Sequence, residues 1–183
     1  MYLIVGLGNP GAQYELSRHN AGFLAIDALT DKFHFKLDRQ GYYCQYGFGN
    51  IGGREVVAAK PMTFMNQSGR AVKAIVSALN IHSEQVVVVH DDIDLPLGKI
   101  KKKSQGGDAG QQGVRSIIKS LQTDRFTRLR IGIDRPERKE QIVDYVLSPF
   151  EEDELPAVEG VLENVVEMIE SALQSACGGA PPV

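Results

Sequence analysis

The sequence predicts an α/β protein of one domain, a mixed, twisted β-sheet flanked by helices in three α/β/α layers. Two observations carry this prediction. Alternating and β-branched runs recur at 2–7, 43–50, 54–60, 85–90, 99–103 and 127–133, and segments with apolar residues at helical spacing lie between them. The chain has 183 residues, 43% hydrophobic and 23% charged, which suits one ordinary globular domain with a substantial core.

Taken in order, Tyr2-Leu3-Ile4-Val5 forms the first strand. A helix over about 20–33 aligns Phe23, Ile26, Leu29 and Phe33 on one face. The runs 43–50 and 54–60 are joined through Ile51-Gly52-Gly53, a hairpin signal that makes the sheet mixed. A second helix over 67–79 places Val72, Ile75, Val76 and Leu79 on one side, and 85–90 is so uniformly apolar that both its faces should be covered. A short strand at 99–103, a helix at 112–121, a strand at 127–133 and a long helix at 155–176 complete the pattern. The domain is expected to span 1–177, with Gly178-Gly179-Ala180-Pro181-Pro182-Val183 as a disordered tail.

Composition narrows the function classes. No run is long enough to cross a bilayer and no secretory signal opens the chain, so the expected compartment is the cytoplasm. Cys44 and Cys177, the two cysteines, stand apart without metal-ligand spacing and read as reduced thiols. The net charge of −3 conceals an asymmetry: residues 148–183 hold eight of the 23 acids and none of the 20 lysines and arginines, which leaves the first 147 residues positive. A basic body is a weak pointer to a polyanionic partner.

"GLGNPG" at 6–11 has the spacing of a dinucleotide fingerprint, but that motif must run straight into a helix whose N-terminus meets the pyrophosphate. Here the glycines open a loop that carries Asn9, Tyr14, Arg18, His19 and Asn20 before helical spacing begins. They shape a strand-end loop and imply no cofactor. Other polar segments also sit where strands or helices begin or end. In "TFMNQSGRAV" Asn66 and Gln67 stand at a helix entrance, where capping of free N–H groups is the simpler reading. "VVVVHDDIDLPLG" ends a buried strand in His90, Asp91, Asp92 and Asp94, which reads as a solvated acidic turn, a carboxylate orienting a histidine, or a hard-cation site. "SQGGDAGQQGVRSI" is a glycine-rich loop leading into a helix, either a gate or a plain connection. His19 combines a pKa near neutrality with a strand-end loop, whereas His34, His82 and His90 read as solvated or structural.

Together "GLGNPGAQYELSRHNAG", "KPMTFMNQSG", "HDDIDLPLG" and "RLRIGI", in this order, resemble the bacterial peptidyl-tRNA hydrolases. The resemblance covers residues 3 to about 147. It implies a monomeric α/β globule that hydrolyses the ester between a peptide and the 3′-terminal ribose of tRNA without metal or cofactor. It also implies that His19 is the catalytic histidine, Asp91 its partner, and Asn9 and Asn66 amides that serve the reacting carbonyl, water or peptide backbone. Tyr14 would line the terminal ribose and adenine, and Phe64 and Met65 the apolar cleft walls. Lys103 and Arg130 would clamp the 5′-phosphate, with Arg115 and Lys139 along the tRNA backbone. One block departs from the pattern. Where the family has a histidine-asparagine pair in G-G-H-G-x-H-N-G, this chain reads Gly106-Gly107-Asp108-Ala109-Gly110-Gln111-Gln112-Gly113. Gln112 therefore stands where the resemblance implies an amide that fixes water or substrate, one methylene longer than asparagine. The rival readings are an RNA-binding protein on the same scaffold and a small-molecule esterase; the latter needs no basic pair.

Overall fold

A computed structural model describes residues 1–175, so the expected tail at 178–183 and Cys177 lie outside the described residues. Seven strands form one sheet: β1 (Tyr2–Gly6), β2 (Arg39–Gly41), β3 (Cys44–Ile51), β4 (Arg54–Pro61), β5 (Val86–Asp92), β6 (Ile100–Lys103) and β7 (Thr127–Gly132). Their order across the sheet is β2-β3-β4-β1-β5-β7-β6. The β4-β1-β5-β7 centre is parallel, and the flanks β2-β3-β4 and β6-β7 are antiparallel, so the sheet is mixed as the sequence predicts. Gly52 and Gly53, both at positive φ, make the two-residue turn between β3 and β4.

Five helices cover the two faces: α1 (Ala21–Lys32), α2 (Ser68–Ala78), α3 (Gln112–Leu121), α4 (Ile142–Leu147) and α5 (Leu155–Ser175). Alternation along each strand divides the core. Ile4, Val87, Val89, Leu129 and Ile131 pack with Ile26 and Leu29 of α1 and Val161, Val165 and Ile169 of α5. Leu3, Val5, Val86 and Val88 pack with Val72 and Ile75 of α2 and Val114 and Ile117 of α3. β5 is apolar on both faces because each face carries a helical layer.

The first glycine motif now has a physical reason. A Cβ on Gly6 would overlap the carbonyl of Gly22 in α1, and a Cβ on Gly22 would overlap the backbone of Leu7 and Val89. The two glycines let α1 lie directly on β1 and β5. Two 3-10 turns, Ala12–Tyr14 and Arg18–Asn20, separate the loop from α1, so the glycines lead into no helix N-terminus of the dinucleotide type. Two elements escape the sequence reading: the three-residue edge strand β2 and the six-residue helix α4.

Candidate active site

β1, β4 and β5 lie side by side and parallel, so the loops at their C-terminal ends meet at one rim of the sheet, where open α/β folds build sites. The rim borders a cleft of about 650 Å³, lined by Asn9 and His19 after β1, Phe64, Met65 and Asn66 after β4, and Asp91 and Asp92 on β5. The glycine-rich loop adds Gln111 and Gln112, and α4 supplies an apolar wall. The volume suits a ligand of several connected groups.

His19 and Asp91 are 72 positions apart, and His19 Nδ1 lies 2.8 Å from Asp91 Oδ2. An ionised carboxylate only accepts, so Nδ1 carries the proton and Nε2 is left with its lone pair. Burial works against a charged imidazolium, but the charge of Asp91 and its hydrogen bond outweigh it and raise the pKa of His19 above the ordinary value. Burial likewise opposes ionisation of Asp91, yet His19 and the Gln111 amide hold its pKa below the usual carboxylate range. His90 is buried on the same strand with Nδ1 2.7 Å from the Asp91 carbonyl, and desolvation lowers its pKa.

The two asparagines are held differently. Asn9 accepts the Met65 N–H through Oδ1 at 2.8 Å, which ties the β1 loop to the β4 loop and leaves Nδ2 as its side-chain donor. Buried Asn20 fixes the Asn9 backbone on both sides, accepting from its N–H at 2.8 Å and donating to its carbonyl at 3.0 Å. Asn66 is exposed on the cleft wall, and the Gln67 side chain makes no capping hydrogen bond at the start of α2, where Ser116 Oγ of α3 instead accepts the Gly69 N–H at 2.9 Å. The capping reading of Asn66 and Gln67 is therefore corrected: the last 3-10 turn before α2 already orders the entrance, so the Asn66 amide faces the cleft uncommitted. Buried Met65 and exposed Phe64 both line the cleft, whereas Tyr14, in the first 3-10 turn, is not among its lining residues.

The acidic run resolves into separate partnerships. Asp91 takes His19 and Gln111, Asp92 takes Arg130 at 2.6 Å, and Asp94 takes Arg135. Among the described residues no group of three or more His, Cys, Asp or Glu is arranged to hold a metal ion.

Four cations share one face of the β6–β7 ribbon. Lys103 stands opposite Arg128 and Lys101 opposite Arg130 in the antiparallel register. Like charges placed so closely disfavour the pairing unless something offsets them. Arg128, 1% exposed, donates to the carbonyls of Gly106, Gly107 and Asp124, and Arg130 is held by Asp92. Arg115 is ion-paired with Asp108 at 3.1 Å rather than free, which the sequence reading did not anticipate.

The glycine-rich loop also differs from expectation. Gln112 is exposed and lines the cleft, but the amide bound to the catalytic-type carboxylate belongs to Gln111, which donates to Asp91 Oδ1 at 2.9 Å. The available signal was its place just before the helix, where a side-chain acceptor is favoured. Arg18 is a second residue passed over. It is buried, salt-bridged to Glu154 at 2.8 Å, and its guanidinium lies over the rings of both Tyr145 and Phe150, 4.4 and 5.1 Å from their centroids. It therefore binds the His19 turn to the segment carrying α4 and α5.

Known proteins share this chain's sequence pattern and fold. A sequence-family model described as peptidyl-tRNA hydrolase matches residues 3–180. Peptidyl-tRNA hydrolase of Bacillus cereus is 42% identical over 173 residues, covering 94% of this chain and 93% of that protein. The enzyme of Aquifex aeolicus is 45% identical over 172 residues, covering 94% and 90%. The crystal structure of peptidyl-tRNA hydrolase from Acinetobacter baumannii superposes with a TM-score of 0.91 at 35% identity, covering 97% of this chain and 90% of that one. With a family match over nearly its whole length and this fold, the chain belongs to the peptidyl-tRNA hydrolase family.

Proposed function

We propose that His19 is the general base with which this member of the family hydrolyses the ester of peptidyl-tRNA, freeing tRNA and peptide. The carrying observation is the 2.8 Å contact of His19 Nδ1 with buried Asp91 at the edge of the cleft. Nε2 takes a proton from water, and the resulting hydroxide attacks the carbonyl carbon of the ester. The charge that builds on the carbonyl oxygen is met by neutral donors, Asn9 Nδ2 and the Asn66 amide. The bond to the ribose oxygen then breaks, and the imidazolium returns its proton to that oxygen, leaving a ribose hydroxyl and a peptide carboxylic acid that releases its proton to water and leaves as the carboxylate. Positioned acid–base catalysis of this kind contributes about 10²- to 10⁴-fold.

The same reading assigns the substrate's two halves. Phe64, Met65 and the α4 wall offer apolar surface to the peptide and the end of the tRNA, and Gln112 offers an amide. Lys103 and Arg130, on the cationic face of β6 and β7, take the 5′-phosphate, with exposed Arg115 and Lys139 near its backbone. Tyr14 lies on the β1 loop, outside the cleft wall, and meets the terminal nucleotide only at the rim. The substrate places the reaction in the cytoplasm. One chain supplies every group named, so a monomer suffices. Rates on full tRNA with and without its 5′-phosphate test this arrangement. Lys103→Ala should raise KM for the phosphorylated tRNA and leave the dephosphorylated one unchanged; equal loss on both would remove Lys103 from phosphate binding.

A further inference from the structure

The carboxylate of Asp91 has two oxygens, and each has its own donor. Oδ2 meets His19 at 2.8 Å and Oδ1 accepts from Gln111 Nε2 at 2.9 Å. The Gln111 side chain is itself fixed at both ends. Its Oε1 accepts the Val114 N–H at 2.9 Å as the N-cap of α3, and Nε2 also lies 3.3 Å from Met65 Sδ. The turn that delivers Gln111 is built by Asp108, whose carbonyl accepts the Gln111 N–H and whose carboxylate accepts from Gly110 and Arg115.

We infer that Gln111 is a positioning residue for the reaction: its amide holds Asp91 so that one oxygen, and only one, is presented to His19. The inference rests on His19 and Asp91 being the base and its partner. A buried carboxylate with one oxygen unsatisfied would turn about its own axis and share its charge differently with the imidazole. An amide is suited to the task because it is uncharged at every pH and donates from one end while accepting at the other. A histidine at this place, as in the loop pattern, titrates in the working range of His19. The titratable groups beside Asp91 on β5 are His90 and Asp92, the latter with its partner Arg130, while Asp108 on the loop is paired with Arg115 of α3.

Gln111→Glu isolates the donor. The glutamate keeps the length and the acceptor for Val114 N–H, and replaces the N–H that faces Asp91 with a second negative oxygen. Two measurements read the result: NMR titration of the His19 imidazole in the free protein, and kcat/KM against pH on N-acetylated aminoacyl-tRNA. Like charge beside Asp91 favours the imidazolium, so the His19 pKa should rise by about 1 unit or more. The acid limb should move with it, the rate at pH near 7 should fall by about tenfold, and most of the loss should return at higher pH with KM little changed. Gln111→Met, which has no donor at all, should move the limb in the same direction and by less. Gln111→His should restore the limb where that imidazole is neutral. If the glutamate and methionine variants fold and His19 titrates as in the wild type, Gln111 is a helix cap alone and the inference is overturned. A His19→Ala variant that still cleaves substrate would instead overturn the base assignment itself, whatever Gln111 does.

Discussion

Asp91→Asn is the sharpest perturbation of the proposed base. The wild-type carboxylate, 3% exposed, accepts from His19 Nδ1 at 2.8 Å and from Gln111 Nε2 at 2.9 Å. Asparagine offers one oxygen and one NH₂ in the same volume, so one of the two donors must face another donor. Loss of one buried, charge-assisted hydrogen bond costs about 1.5–3 kcal/mol, or about 10- to 150-fold in rate. If the NH₂ turns to His19, Nδ1 becomes the acceptor, the proton moves to Nε2, and the fall approaches about 10⁴ because the base has no lone pair at the cleft. The pH dependence carries an independent sign. In the wild type Asp91 outweighs burial and raises the His19 pKa, so the acid limb of kcat/KM should lie above about pH 6.5. Without that charge, burial is left to oppose the imidazolium, and the limb should move below about pH 6.5. The assay is initial-rate cleavage of N-acetylated aminoacyl-tRNA from about pH 5 to about pH 9, with KM measured separately. An unchanged limb with an unchanged rate would refute the reasoning, and a loss confined to KM would make Asp91 a structural residue.

Further substitutions probe the charged groups around the site. Asp108→Asn should release the exposed Arg115 for phosphate, so tRNA should bind more tightly and with a salt dependence steeper by up to about one counterion, measured by filter binding across ionic strength. Arg130→Ala leaves Asp92 buried without its cation, and should cost about 2 kcal/mol in denaturant melts as well as raising KM. Adding Asp92→Asn should recover the stability but not the KM. Arg18→Ala removes both the Glu154 salt bridge and the contact with Tyr145 and Phe150, with an expected loss of about 3 kcal/mol by chemical denaturation. Glu154→Ala should lose less, because Arg18 keeps its two aromatic faces.

The parts of the fold and site that were legible share a cause. Long strands and helices declare their period, and Asn9, His19, Asn66 and Asp91 lie in short motifs that follow β1 and β4 or end β5. Strand adjacency then brings His19 to Asp91 without help from distant sequence. What escaped was too short or depended on choice of partner. α4 has six residues and β2 three, so neither completes enough repeats to show a period, although α4 forms a wall of the cleft. Gln111 and Gln112 are chemically identical neighbours, and only the turn of the loop decides which one meets Asp91. Sequence likewise gives Arg115 and Arg130 as cations but does not reveal that Asp108 and Asp92 already hold them.

The most direct test of the central claim is single-turnover cleavage of N-acetylated aminoacyl-tRNA by the wild type and by His19→Ala, with tRNA binding measured on the same two proteins. His19 as general base predicts binding within a few fold of wild type and a cleavage rate lower by about 10² or more. Cleavage within a few fold of wild type would contradict it, as would a loss of cleavage fully accounted for by lost binding.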